Sequence, residues 1–289
     1  MGLLTRLTFT VSPEVGELFS AFLAMRVPQG WEEIALPDGG MRCLVHSEHK
    51  GFCEELEATA RALHPGVAVE REIVKETDWL ETWKEFFTPV PCGERFVVLA
   101  PWMEKERAET TRIPVLIDPG SAFGTGHHES TALCLTALSD LADAGALSPE
   151  RPFLDLGTGS GILGIAAAKL GLRGEGLDID VVAVDNARVN RDLNAIDPDA
   201  FAVAEGGVEA AGGSYGLVLA NILAGPLCDM ASAIARLGGG EPFILILSGI
   251  LTLQADTVAA AYMRQGLAAP ARRSRGEWTA LIFGAGSEI

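Results

Sequence analysis

The chain has 289 residues, 48% of them hydrophobic, with 22 Lys or Arg against 39 Asp or Glu and a net charge of −17. This composition can bury a core without disulfide or metal staples, fits one large domain or two ordinary ones, and excludes a disordered chain. The acid excess excludes a duplex-binding surface, which needs a basic face, and suits a basic partner; no apolar run reaches the roughly 18–20 residues of a membrane span.

The N-terminus, MGLLTRLTFTV, lacks the long apolar segment and small-residue cleavage site of a secretion signal. Five scattered cysteines (Cys43, Cys53, Cys92, Cys134, Cys228) include no C-x-x-C, so reduced thiols in a cytoplasm are expected rather than a disulfide frame or a zinc site. RLTFTV reads as a strand. Ser12-Pro13-Glu14 opens a helix to about Met25, with Ser12 as N-cap. Trp31 to Leu36 and Met41 to His46 are short strands around Pro37-Asp38-Gly39-Gly40. Phe52 to Leu63 is an amphipathic helix ended by His64-Pro65-Gly66, and Val67 to Val74 alternates as a last strand. The β-α-β-β-α-β order is that of a small ferredoxin-like α+β domain over residues 1–75, with no obvious catalytic residue and a recognition role.

TDWLETWKEFF spaces Trp79, Trp83 and Phe86 or Phe87 at helical intervals before Pro89 and Pro91, a linker helix within residues 76–92. The second domain spans 93–289 and starts with one strand, GERFVVLAPW. From Pro152 onward strands (Phe153–Leu156, Gly176–Ile179, Phe201–Ala204, Leu217–Ala220, Phe243–Leu247) alternate with helices (Ile162–Leu170, Val181–Ala195, Ala224–Leu237, Leu251–Gln265). Such alternation gives a mostly parallel α/β sheet of Rossmann-like type, covered on both faces. Ala268–Arg273 and Trp278–Phe283 close it as an antiparallel hairpin at Arg275-Gly276.

Four motifs fall on this frame. D-L-G-T-G-S-G, Asp155 to Gly161, joins an apolar strand to a helix; Gly157 and Gly159 let the backbone turn sharply and approach a ligand. Position 162 is Ile, so the third glycine of a dinucleotide fingerprint is missing, which argues against a nicotinamide-dependent oxidoreductase. L-D-I-D follows the next strand. Asp178 stands where Rossmann-like folds hold ribose hydroxyls; Asp180 is the other acid available, and suits an N-cap. N-I-L-A-G-P-L, Asn221 to Leu227, follows the apolar strand Leu217–Ala220 and resembles the Asn- or Asp-Pro-Pro-Tyr-like motif of amine-directed methyltransferases, which implies a side-chain carbonyl accepting hydrogen bonds from a substrate amine. D-P-G-S-A-F-G-T-G-H-H-E-S-T, Asp118 to Thr131, is a glycine-rich segment carrying Phe123 and running into a helix that can fold over a ligand. His127 and His128 point apart and lack partners at ligand spacing, so no metal is expected.

Together with D-W-x-x-x-W-K, G-E-R-F, L-S-G-I-L and the terminal E-W, these motifs make the chain resemble the PrmA family, the bacterial methyltransferases of ribosomal large-subunit protein eleven. The resemblance implies a class I S-adenosylmethionine-dependent methyltransferase domain that methylates lysine side-chain and N-terminal amines of that protein. It places cofactor contacts on Thr131, Gly157, Asp178 and Asn221, beside Phe123 and Gly159 from the motif reading, with Asn221 as the catalytic residue. Where the family commonly reads T-H-P-T-T, this chain has His127-His128-Glu129-Ser130-Thr131, so Glu129 replaces a proline. The expected protein is a cytoplasmic monomer with no direct nucleic-acid or membrane partner. The alternatives are a related methyltransferase of another protein's lysines and a cofactor-binding assembly factor without turnover.

Overall fold

Strand alternation organises the first part of the chain. In the computed structural model, which describes residues 3–13, 15–24, 26–27, 30–36, 39–75, 88–118, 128–238 and 243–284, the chain divides into two units, Met1–Phe87 and Thr88–Ile289. The first contains β1 (Leu3–Val11), α1 (Gly16–Ala24), β2 (Glu32–Ala35), β3 (Met41–Ser47), α2 (Lys50–Leu63) and β4 (Ala68–Lys75). The sheet order is β2-β3-β1-β4, all antiparallel, which is the split arrangement expected of this element order. Leu7, Phe9 and Val11 alternate along β1 and are buried with Phe19 and Leu23 of α1 and Leu56 and Ala60 of α2. The first helix starts at Gly16 rather than at Pro13, because the chain first makes a turn in which the Val15 N–H donates to the Ser12 carbonyl at 3.2 Å. The expected linker helix, with Trp79, Trp83, Phe86 and Phe87, lies outside the described residues.

The second unit begins at Thr88, ahead of the expected Gly93, because Val90–Cys92 is already a strand of it. That strand, β5, pairs with β6 (Phe96–Leu99), which pairs in parallel with β7 (Ile113–Leu116) after the short helix α3 (Glu104–Glu109). The reading of a single strand here is thus corrected to a three-stranded sheet, order β5-β6-β7.

Beyond α4 (Glu129–Asp143) lie β8 (Phe153–Leu156), α5 (Ile162–Lys169), β9 (Gly174–Asp178), α6 (Val181–Leu193), β10 (Phe201–Glu205) and β11 (Leu217–Asn221). Next come α7 (Ala224–Asp229), α8 (Ala231–Arg236), β12 (Ile244–Leu251), a 3-10 turn (Thr252–Gln254), α9 (Ala255–Met263), β13 (Ala271–Arg275) and β14 (Trp278–Phe283). The expected single helix over 224–237 is interrupted at Met230, whose φ of −89° and ψ of 0° leave the helical well.

The seven strands run β10-β9-β8-β11-β12-β14-β13; the first five are parallel, and β14 is antiparallel to both β12 and β13. Phe153, Leu219 and Ile246 pack against α4, α5 and α6 on one face, and Leu154, Val218 and Leu245 against α7, α8 and α9 on the other. The chain leaves β8 toward β9 and β10, then returns to β11 on the opposite side. The carboxyl ends of β8 and β11 therefore flank the topological switch point, where open α/β sheets bind ligands.

Candidate active site

At the end of β8 three glycines take left-handed backbone: φ is 71° at Gly157, 54° at Gly159 and 82° at Gly161. Residues with a Cβ are strained there. A Cβ on Gly157 would also come within 2.6 Å of Ile222 Cγ2, and one on Gly161 within 3.1 Å of the Ala187 Cβ. The loop is pinned from several sides. Gly157 and Thr158 N–H donate to the Leu177 carbonyl at 2.8 and 3.0 Å. The Gly159 N–H donates to Asp178 Oδ2 at 2.9 Å.

Asp178 sits at the carboxyl end of β9, half-buried, and its Oδ1 accepts from the Asp180 N–H at 3.0 Å. Asp180 is exposed and caps α6, its Oδ1 accepting from the Val182 N–H at 2.9 Å. The two acids are thus divided between a strand-end position beside the glycine loop and a helix cap.

Asp155, on β8, is buried, and its Oδ2 accepts from the Thr158 hydroxyl at 2.7 Å and the Gly164 N–H at 2.9 Å. Its Oδ1 is buried without a hydrogen-bond partner among the described residues. Burial is the main reason its carboxyl is pushed up from 3.8 to about 7, with the Asp178 charge adding to it and the two hydrogen bonds opposing it. Between those two values the folded protein binds more protons than the unfolded chain, so stability falls as pH rises through that window. The difference is worth about 4 kcal/mol at about 1.4 kcal/mol per pH unit. Asp155→Asn removes this titration. The stability gap between variant and wild type should shift in the variant's favour between about pH 4 and about pH 8, read by urea unfolding; a pH-independent gap would refute it.

Asn221 ends β11, in register with Ser248 of β12. Its Nδ2 donates to the hydroxyl of Thr131 at 3.0 Å, and its Oδ1 is buried and takes no hydrogen bond from any described residue. Thr131 is fully buried on the first turn of α4. A pocket of about 420 Å³ opens at this point, lined by His128, Ser130, Asn221, Ile222, Leu223, Gly249 and Trp278. Gly249 shapes its wall. With φ at 78° it forms a bulge in β12, and a Cβ there would lie 2.5 Å from the Ile222 carbonyl oxygen.

His128 is the N-cap of α4. Its Nδ1 accepts from the Ser130 N–H at 3.3 Å and stands 2.7 Å from the Ser130 hydroxyl, while its ring meets Trp278 edge-on at 4.6 Å. Glu129, the departure from the family pattern, lies against the turn between β13 and β14: a Cβ on Gly276 would come within 2.3 Å of its carboxylate.

The structure thus groups Gly157, Gly159 and Asp178 on one side of the switch point and joins Thr131 to Asn221 on the other. Phe123 and His127 lie outside the described residues. Sequence reasoning missed Trp278, Ser130 and Gly249 as pocket walls. It also missed the buried amides of Asn190 and Asn194, which extend the buried α6 stripe of Ala183, Val184 and Ala187 at helical spacing. Among the described residues no helix is long and apolar enough to cross a membrane.

The family model described as ribosomal protein L11 methyltransferase (PrmA) matches residues 39–285. The chain is 40% identical over 225 residues to the ribosomal protein L11 methyltransferase of Pelobacter propionicus, covering 76% of this chain and 72% of that protein. With the Thermus thermophilus protein of the same name it shares 41% over 217 residues, covering 74% and 80% respectively. A crystal structure of ribosomal protein L11 methylase from Lactobacillus delbrueckii subsp. bulgaricus superposes with a TM-score of 0.60 at 27% identity, covering 68% of this chain and 98% of that one.

Proposed function

The chain belongs to the ribosomal protein L11 methyltransferase (PrmA) family, and from that premise we propose that it transfers methyl groups from S-adenosylmethionine to lysine side-chain and N-terminal amines of ribosomal protein L11 in the cytoplasm. The observation that carries this reading is the buried Oδ1 of Asn221, without a hydrogen-bond partner among the described residues, at the wall of an apolar pocket beside the glycine loop. A buried acceptor without a donor is costly, and an incoming N–H supplies one.

The residues fit the cofactor. The cradle of Gly157, Gly159 and Gly161 is one that Cβ atoms would strain or fill. Asp178 uses one acceptor direction of each oxygen on backbone N–H groups, which leaves further lone pairs for a pair of ribose hydroxyls. S-adenosylmethionine, when bound, supplies a methyl group already activated on a sulfonium, so the protein's contribution is proximity and alignment. Thr131 fixes the amide of Asn221 through its Nδ2, which leaves Oδ1 to accept from the substrate amine and aim its lone pair. Ile222, Leu223 and Trp278 give the pocket an apolar lining for the aliphatic stem. A lysine ammonium, with a reference pKa of about 10.4, must lose a proton before it can react; apolar walls disfavour its charged form. The net charge of −17 favours the approach of a basic substrate surface.

Asp178→Ala should weaken S-adenosylmethionine binding by about 1.5–3 kcal/mol, the worth of hydrogen bonds to a charged acceptor. Calorimetry on the folded variant checks it; unchanged affinity would remove Asp178 from the cofactor site.

A further inference from the structure

Asn190 lies on α6, fully buried, on the stripe it shares with the apolar Ala183, Val184 and Ala187. Its Oδ1 accepts from the Asp118 N–H at 2.9 Å, and its Nδ2 donates to the Ser160 carbonyl at 2.9 Å. Asp118 is the residue at which the glycine-rich segment leading to His128 begins. Ser160 stands between Gly159 and Gly161, in the loop that ends β8. Those two partners are 72 and 30 residues away in sequence.

We propose that Asn190 is a positioning residue: its single amide ties Asp118, just past the end of β7, to the glycine loop at Ser160, and so holds that loop in place for the cofactor without touching it. This rests on the cofactor reading given above. Only a side chain with a donor and an acceptor in one short plane can serve both partners. Asp lacks the donor, Leu lacks both groups, and Gln reaches too far. An apolar residue would continue the stripe, but would leave the Asp118 N–H and the Ser160 carbonyl without this partner.

One turn later Asn194 provides an internal comparison. Its Oδ1 accepts from the Leu116 N–H at 2.9 Å, and its Nδ2 donates to the Leu116 carbonyl at 2.6 Å and to the Asn190 carbonyl at 2.8 Å. Asn194 thus replaces a strand partner at the end of β7 and reaches neither loop. Asn190 on α6 and Asn194 at its C-cap separate a bond that reaches the glycine loop from one that secures the end of β7.

The test compares Asn190→Ala, Asn190→Asp and Asn194→Ala in the full chain by calorimetry with S-adenosylhomocysteine, by thermal unfolding, and by turnover at saturating S-adenosylmethionine. Asn190→Asp keeps an acceptor for the Asp118 N–H and sets a carboxylate oxygen against the Ser160 carbonyl, so it breaks the bridge at the glycine loop while leaving its other end in place. Both Asn190 variants should raise Kd by about tenfold or more, the effect of breaking a buried hydrogen bond, with kcat at saturation within about threefold of wild type. Asn194→Ala should lower Tm at least as much as Asn190→Ala and leave Kd within about twofold. Unchanged Kd in a folded Asn190 variant overturns the proposal. So does an equal rise in Kd for Asn194→Ala, or the loss of a cooperative transition in both Asn190 variants, since either makes the residue merely structural. Wild type that fails to bind S-adenosylhomocysteine would instead remove the cofactor reading itself.

Discussion

Asn221→Ala is expected to lower kcat by about a hundredfold or more while changing cofactor affinity much less, because alignment of the reacting amine is the main catalytic resource of a reaction whose leaving group is already activated. The variant loses the buried Oδ1 and leaves the Thr131 hydroxyl without its donor. Asn221→Asp is the sharper comparison. It keeps an acceptor and the shape of the side chain, and the Thr131 hydroxyl can turn to donate to the new carboxylate. It should therefore retain more turnover than the alanine variant. Steady-state kinetics paired with S-adenosylhomocysteine calorimetry measures both. If Asp is as inactive as Ala while both bind cofactor normally, the acceptor role fails; if both turn over like wild type, Asn221 is only a strand-end residue.

A chain shortened to residues 88–289 should bind S-adenosylmethionine and lose methylation of ribosomal protein L11 by about a hundredfold or more in kcat/KM, the scale of lost substrate positioning. Every cofactor motif lies in that unit, and its three-stranded and seven-stranded sheets are complete without residues 1–87. The four-stranded N-terminal unit carries a core of its own, built on Leu7, Phe9 and Phe19. We propose that its role is recognition of the protein substrate. The shortened chain methylating intact substrate at the full-length rate would contradict that assignment; retained affinity for S-adenosylhomocysteine would show that the shortened chain is folded.

The elements that were legible were those in which local signals agree. β8 and the start of α5 fall at the expected residues, because an apolar run, three glycines and a helical apolar pattern follow one another without ambiguity. The three-stranded sheet was hidden by proline. Pro91 lies in β5 and Pro114 in β7, and each weakens the strand pattern. In register both stand opposite Val97 of the central β6, so each proline sits on an edge strand, where a missing N–H is tolerated. Ser248-Gly249 read as the end of a strand, yet the left-handed backbone of Gly249 is a bulge beyond which Ile250 and Leu251 pair again with Thr279 and Trp278.

In the site, residue types and spacing marked Gly157, Gly159, Asp178 and Asn221 singly. What joins them is tertiary. Thr131 and Asn221 meet across 90 residues, and His128, ahead of the seven-stranded sheet in sequence, meets Trp278 in its last strand. The buried amides of Asn190 and Asn194 had only their helical spacing from Ala183 and Ala187 as a signal, and their partners at Leu116, Asp118 and Ser160 are set by the tertiary fold.

The central claim is tested most directly by incubating the purified full chain with labelled S-adenosylmethionine and ribosomal protein L11, then mapping the label by mass spectrometry. Label on lysine side-chain and N-terminal amines of ribosomal protein L11, lost with Asn221→Ala, is the predicted result. An enzyme that binds S-adenosylmethionine yet leaves ribosomal protein L11 unlabelled, or that labels a different protein instead, would contradict it.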